Sequence, residues 1–189
     1  MSLRYEFNNK NINDSNAFIS ISGCGIVPYS INNGRIMYLL GREAQYTNWS
    51  EGNKWADFGG HRDNNESMKQ TAVREGYEEI MGLITKEYIS KRIKPNNVIE
   101  SDETVAFLIK IPYKKGLIKQ FDNFYNYVLL NYTNKFFVDA VMKKGLFEKD
   151  KIAWFSYEDI IELDKTGVLR KSISTCLKQL KEFNSNKLK

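Results

Sequence analysis

At 189 residues the chain has room for one domain with a substantial core. Its 42% hydrophobic and 13% aromatic content fits a folded globular protein, and its apolar runs are too short and broken to predict a membrane span. The net charge of +5 favours anionic ligands without naming one, while a single histidine, His61, and two distant cysteines, Cys24 and Cys176, leave no visible zinc site. The lone cysteines read as reduced thiols, so the expected location is cytoplasmic.

In chain order, residues 1–16 are polar and asparagine-rich and read as a flexible lead-in, with none of the apolar centre of a secretory signal. Ala17 to Tyr29 is a strand candidate, because Ile19 and Ile21 alternate with Ser20 and Ser22. Gly23 and Gly25 suggest a bend or bulge in it. Asn33-Gly34 signals a type I′ turn, so Arg35 to Arg42 should return antiparallel. A loop containing Trp49 follows, then a short strand, Trp55 to Phe58, which feeds Gly59-Gly60. Ser67 and Gln70 form an S-x-x-Q capping box that starts a helix running to about Gly82.

Lys86 to Ile93 predicts a short second helix stopped by Pro95. Glu103 to Tyr113 is a strand pattern. Lys114 to Gly145 reads as an insertion, in which Phe121 to Tyr132 fits either helix or strand and Asn134 to Lys144 fits a helix. Lys151 to Ser156 predicts a strand, and Tyr157 to Leu163 the start of a helix. Val168 to Phe183 places Leu169, Ile173, Leu177 and Leu180 at helical spacing, which predicts an amphipathic C-terminal helix. Lys165 to Lys189 holds seven basic residues against Glu182, or +6. This element order is α+β, with a domain over 17–163 and the basic helix of 164–189 packed on it.

The centre of the chain is Gly59 to Leu83. Glu75, Glu78 and Glu79 stand at i, i+3 and i+4 and share one helical face. Three carboxylates so close repel unless a cation neutralises them, and hard divalent ions take such oxygen ligands together with substrate phosphates. Val73, Tyr77, Ile80 and Ile84 fall roughly opposite the acids and predict a core-facing side, with Ala72 and Gly76 on the border. Gly76 costs about 1 kcal/mol of helix propensity, which suggests a packing reason. An E-x-x-E-E pattern by itself is most often a solvated surface.

With Gly60, Glu66 and Arg74 at fixed offsets, the segment resembles the Nudix box of the Nudix hydrolases, G-x5-E-x7-R-E-U-x-E-E-x-G-U, where U is bulky and apolar. It departs at Gly76, which stands at the first U, and at Gly82, which comes one residue late after Ile80 and Met81. The expectation is that a local bulge or a longer last turn absorbs the extra residue. W-F-S-Y-E-D-I, Trp154 to Ile160, is similar to the stretch that follows the family's last core strand. The resemblance implies an α/β/α sandwich around a mixed β-sheet, with a helical insertion.

The resemblance also implies an activity: metal-dependent hydrolysis of a diphosphate linked to another group X, with Mg2+ or Mn2+ as cofactor. It assigns metal binding to Glu78 and Glu79 with the Gly59 carbonyl nearby, and makes Glu75 a ligand or the base. Arg74 and Glu66 become orienting residues, with an ordinary salt bridge as the alternative. Many members add a loop acid before the W-F-S stretch, for which Glu148 fits and Asp150 competes; Glu100, Asp102 and Glu103 are weaker candidates. Arg42 is a phosphate-binding candidate, Trp49 and Trp55 are candidates to stack a base or to pack, and His61 is a loop residue near the site. Three readings stay open: hydrolysis of a nucleotide or other diphosphate-containing substrate, hydrolysis of capped RNA reached through the basic C-terminal helix, and a silent nucleotide-binding module.

Overall fold

The computed structural model describes residues 21–45, 50–131 and 147–187. Strands β1 (Gly23–Asn32) and β2 (Arg35–Glu43) form the hairpin expected at Asn33-Gly34. Both turn residues have positive φ, 50° and 73°, the left-handed pair that a type I′ turn requires. β1 also pairs antiparallel with β4 (Phe58–His61) and parallel with β6 (Thr104–Lys110). β5 (Val98–Glu100) adds to β6, while β3 (Trp55–Ala56) and β7 (Lys149–Phe155) pair with β2. These seven strands make one mixed sheet. The reading above missed β5, which is three residues long. It also left Gly59-Gly60 as a link, whereas both glycines lie inside β4 and pair with Gly25 and Cys24.

The helices are α1 (Met68–Glu79), α2 (Lys86–Arg92), α3 (Lys115–Asn131), α4 (Tyr157–Lys165), α5 (Lys171–Ser174) and α6 (Leu177–Lys187). Strand alternation sorts them into layers. Cys24, Ile26, Leu39, Val105, Phe107 and Ile109 point to one face, where Met68, Ala72, Ile89 and Phe121 cover them. Val27, Tyr29, Tyr38, Leu40, Ala106 and Leu108 point to the other, beneath Ile160, Ile173 and Leu180. The sheet is therefore sandwiched between α1–α3 and α4–α6, as the α/β/α expectation has it. No helix among the described residues is long and apolar enough to cross a membrane.

The basic tail departs from the expected single helix. After Gly167, which has a φ of +71°, residues 168–170 run extended beside β3. Trp55 N–H donates to the Val168 carbonyl and Arg170 N–H to the Trp55 carbonyl, both at 2.8 Å. Only then do α5 and α6 form. The apolar spacing of Leu169, Ile173 and Leu180 still places all three in the core; pairing to the sheet edge outcompeted helix in the first turn. Phe121 is helical, within α3. The lead-in and the expected helix at Asn134–Lys144 lie outside the described residues.

Candidate active site

α1 starts as its sequence predicts: Ser67 accepts from the Gln70 N–H, and the Gln70 side chain accepts from the Ser67 N–H at 2.8 Å. Its packing corrects the expected division into an apolar and an acidic face. The buried residues are Met68, Thr71, Ala72, Glu75, Gly76 and Glu79, so the helix lies on the sheet through its small residues and two of its acids. A Cβ on Gly76 would stand 2.5 Å from Ile26, which is the packing reason for a glycine there. Of the four residues expected to face the core, Ile80 and Ile84 are buried in it, while Val73 and Tyr77 are only partly buried beside it.

Close approach governs the strand below as well. Gly25 and Gly59 oppose each other, and a Cβ on Gly59 would meet the Gly25 Cα at 2.7 Å. A Cβ on Gly60 would lie 2.5 Å from a Glu75 carboxylate oxygen. Bare backbone thus lets the Glu75 carboxyl rest on β4. Burial raises its pKa against the pull of Arg74, and the charges of Glu148 and Glu78 raise it further.

Arg74 organises the exposed side of this cluster. It forks onto Glu66, with Nε to Oε1 at 2.9 Å and Nη2 to Oε2 at 2.8 Å. Nη1 donates to Glu75 Oε1 at 2.6 Å, and Nη2 donates to the His61 carbonyl at 3.0 Å. Glu78 stands 3.5 Å from Nη1 and keeps 22% of its side chain exposed. Glu66 also accepts from the Thr71 hydroxyl at 2.9 Å. The Arg74 hydrogen bonds hold its carboxyl down at about 2.

Glu79 turns inward. Its Oε2 accepts from the Gly59 N–H at 2.7 Å, and its Oε1 lies 3.2 Å from Lys149 Nζ. Lys149 is fully buried and donates to Glu43 Oε1 at 2.5 Å, which Arg170 Nη1 also reaches at 2.7 Å. Burial pushes the Glu79 carboxyl well up, with Lys149 opposing; burial pushes Lys149 down, but the two carboxylates outweigh it and raise it. The sequence reading missed Lys149, Glu43 and Arg170. Alternation along β2 does put Glu43 on the inward side with Leu39, a signal that was there to use. Lys149 was hidden by a bulge: Arg42 pairs with Lys151 and Glu43 with Lys149, so Asp150 is the extra residue. Gly41 leaves room for the lysine stem, since a Cβ there would meet its Cγ and Cδ at 2.9 Å.

That bulge also separates the loop acids. Asp150 turns to Arg42 and takes its guanidinium in a bidentate pair, 2.8 Å on each arm. Arg42 is thus already paired, and Asp150 with it. Glu148, partly buried, lies near enough that its charge acts on both Glu75 and Glu79. Trp55 packs edge-on to Phe155 with ring centroids 4.7 Å apart, beside the second core, so its packing role is the one in evidence. Trp49 lies outside the described residues. His61 is exposed at the end of β4. Asp102 and Glu103 are exposed, and Glu100 exchanges backbone hydrogen bonds with the Gln179 side chain. Burial pushes the Cys24 thiol to about 12 and the Cys176 thiol to about 11, so neither is an activated nucleophile.

Among the described residues no three His, Cys, Asp or Glu side chains converge into a ready-made metal cage. The donor chemistry nevertheless suits a hard divalent cation. Glu75 and Glu79 are both raised in part by neighbouring carboxylates, and the buried Oε1 of Glu79 receives no hydrogen bond. The box departure at its C-terminal end is absorbed without bulge or extra turn. α1 stops on time in a Schellman motif, with Met81 N–H donating to the Glu78 carbonyl at 2.9 Å and Gly82 N–H to the Tyr77 carbonyl at 2.8 Å. Met81 takes the left-handed conformation at φ 55°, followed by Gly82 at 71°.

The chain matches no protein-family model and no curated protein. Among solved structures it is similar to a mutT/nudix family protein from Listeria innocua, with a TM-score of 0.53 and 20% identity over 87% of this chain and 94% of that one. It is similar also to a C. elegans Ap4A hydrolase in a binary complex, with a TM-score of 0.52 and 19% identity over 88% of this chain and 98% of that one. Identities this low carry the fold rather than the chemistry, and by its sheet, its layers and the placement of its box helix this chain has the fold of the Nudix hydrolases.

Proposed function

We propose that the chain is a divalent-metal-dependent hydrolase that cleaves a diphosphate linkage in a nucleoside diphosphate linked to another group, X, by attack of water at phosphorus. One observation carries this reading: the Glu75 and Glu79 carboxyls rest on the Gly59-Gly60 backbone of β4, and Glu78 stands 3.5 Å from the same Arg74 guanidinium that holds Glu75. Glu75, Glu78, Glu79, Glu148 and the Gly59 carbonyl are the groups that would hold Mg2+ or Mn2+. The cation supplies neutralisation of phosphate charge and a more acidic water when bound.

The chain's own residues do the rest. Arg74 fixes the Glu75 carboxylate against Gly60 and is itself fixed by Glu66. With its raised pKa, Glu75 is suited to accept a proton from the attacking water. Glu78, the most exposed of the three box acids, is the one most open to ligand.

The test is a panel of nucleoside diphosphate derivatives, dinucleoside polyphosphates and a capped RNA, assayed with Mg2+ or Mn2+ for released phosphate or nucleoside monophosphate. Product that requires the metal and falls by orders of magnitude in Glu78→Gln supports the proposal. Nucleotide binding without turnover of any member would favour a silent binding module instead.

A further inference from the structure

A second charged feature lies away from these acids. A groove of about 710 Å3 opens where β1 and β6 end and α2 and α6 come together. Lys91, Arg92, Lys94, Lys110 and Lys187 line it, and no Asp or Glu among the described residues does. Five cations here equal the net charge of the whole chain, +5. None of the five forms an ion pair among the described residues, in contrast to Arg42, Arg74, Lys149 and Arg170. The groove meets β1 at Tyr29 to Ile31. Gly25, beside the carboxylates, is five residues back along that strand, or about 17 Å at the usual strand rise.

We propose that this groove binds single-stranded RNA, independently of what the acidic site cleaves. Three features favour a nucleic acid strand over a compact anion. The cations come from α2 and the segment after it, from β6 and from α6, which suits a chain of phosphates rather than one. The Arg92 guanidinium lies 3.2 Å above the Tyr88 ring centroid. Both residues line the groove, and a planar cation against an aromatic ring is the kind of group on which a base can stack. Asn97, Ser30 and Tyr113 add neutral hydrogen-bonding groups to the lining, as base edges and sugars require. An acidic protein segment would use the charges and these neutral groups but not the stacking plane.

The experiment is fluorescence anisotropy of a labelled ten-nucleotide single-stranded RNA with the full chain in EDTA, so that hydrolysis cannot intervene, over a range of salt. With five phosphate contacts the log affinity should fall with log salt at a slope of about −3.5, since each contact on a single strand contributes about 0.7. Combining Lys91→Gln, Lys94→Gln and Lys110→Gln should weaken binding and flatten the slope by about 2. The equivalent change at Lys171, Lys178 and Lys181, on α5 and α6, should leave both unchanged. Arg92→Lys keeps the charge but loses the plane; it should weaken RNA about tenfold while inorganic polyphosphate still competes equally well with variant and wild type. Absence of RNA binding in the wild type overturns the proposal, as does loss caused by the α5–α6 changes instead of the groove changes. If Arg92→Lys has no effect, or polyglutamate competes as well as RNA, the groove is a general anion surface and the proposal also fails. Metal-dependent turnover of a small nucleotide should be the same in the groove variants as in the wild type, so the two proposals stand or fall separately.

Discussion

Two ion-pair clusters meet at the last turns of α1 and differ in how they are solvated. The Arg74 cluster is partly exposed, with side-chain exposures of 22% for Arg74, 20% for Glu66 and 22% for Glu78. The Lys149 cluster is sealed: Lys149 is 0% exposed, and Glu43 and Glu79 are 1%. The first joins residues of one helix and the loop before it. The second ties β2, β7, α1 and the C-terminal segment together through Glu43, Lys149, Glu79 and Arg170. Water can rescue a lost partner in the first cluster and cannot in the second. The open cluster is therefore where ligand exchange costs least, and the sealed one is a structural clamp that also fixes the Glu79 carboxyl proposed to hold the cation.

The largest effect should come from breaking the clamp. Lys149→Met removes the cation between two buried carboxylates and should cost about 3–5 kcal/mol, measured as a drop in urea midpoint with unchanged m. Adding Glu79→Gln should recover part of the loss, because Glu79, unlike Glu43 with its Arg170 partner, is the carboxylate left stranded. A loss under about 1 kcal/mol for Lys149→Met would mean that water enters the cluster, and the contrast would collapse.

Glu78 and Glu79 sharpen the comparison because they are adjacent in sequence and belong to different clusters. Both Gln variants should lose turnover. Glu79→Gln should also destabilise the fold by about 1–3 kcal/mol, since Lys149 loses half its counter-charge in a dry site. Glu78→Gln should stay within about 0.5 kcal/mol of the wild type, as surface changes do. Parallel thermal unfolding of the two variants checks this, and equal stability losses would place both acids in the same environment.

The difference between the clusters also explains what was legible in the sequence. The open cluster was readable because its parts are local: Glu66, Arg74, Glu75 and Glu78 lie within thirteen consecutive positions, and helical periodicity with a cap fixes their mutual placement. The hairpin was readable for the same reason, since Asn33-Gly34 specifies its own turn. Lys149 was not, because its inward direction depends on a bulge at Asp150 that only pairing with β2 creates. Nor was the extended run at 168–170, whose helical apolar spacing was overridden by hydrogen bonds to Trp55. The inward turn of Glu79 depends on how closely α1 approaches β4, and that follows from Gly76 meeting Ile26 and from Gly25 meeting Gly59 in three dimensions.

Acid should act on the open cluster with a definite sign. The folded Glu66 carboxyl is held down at about 2 from an ordinary 4.5, chiefly by its hydrogen bonds from Arg74. A depressed folded value means its stabilisation is full above about 4.5 and is lost as pH falls towards 2. At pH 7, Glu66→Gln should cost about 1 kcal/mol, the upper end for a well-formed pair still touched by water. The gap between the variant and the wild type should narrow through that acid window. A gap that is constant from pH 6 to pH 2.5 in urea titrations would show that packing, not charge, accounts for the residue.

The smallest effect concerns the turn that ends α1 and keeps Glu78 and Glu79 in their separate clusters. Met81 sits in the left-handed region at φ 55°, where a side chain costs roughly 1–2 kcal/mol. Met81→Gly relieves that strain but gives up the packing of a partly buried side chain against the first core. The two should nearly cancel, leaving stability within about 0.5 kcal/mol. Gly82 has no such compensation. It lies at φ 71°, and a Cβ there would stand 3.3 Å from the Tyr77 ring, so Gly82→Ala should cost about 1 kcal/mol. If Met81→Gly instead stabilises the protein by more than 1 kcal/mol, the methionine contributes nothing but strain, and the register of the two acids rests on the Schellman hydrogen bonds alone. If Gly82→Ala is neutral, the turn is not held left-handed at that position in solution, and the helix end is looser than its hydrogen bonds to Tyr77 and Glu78 imply.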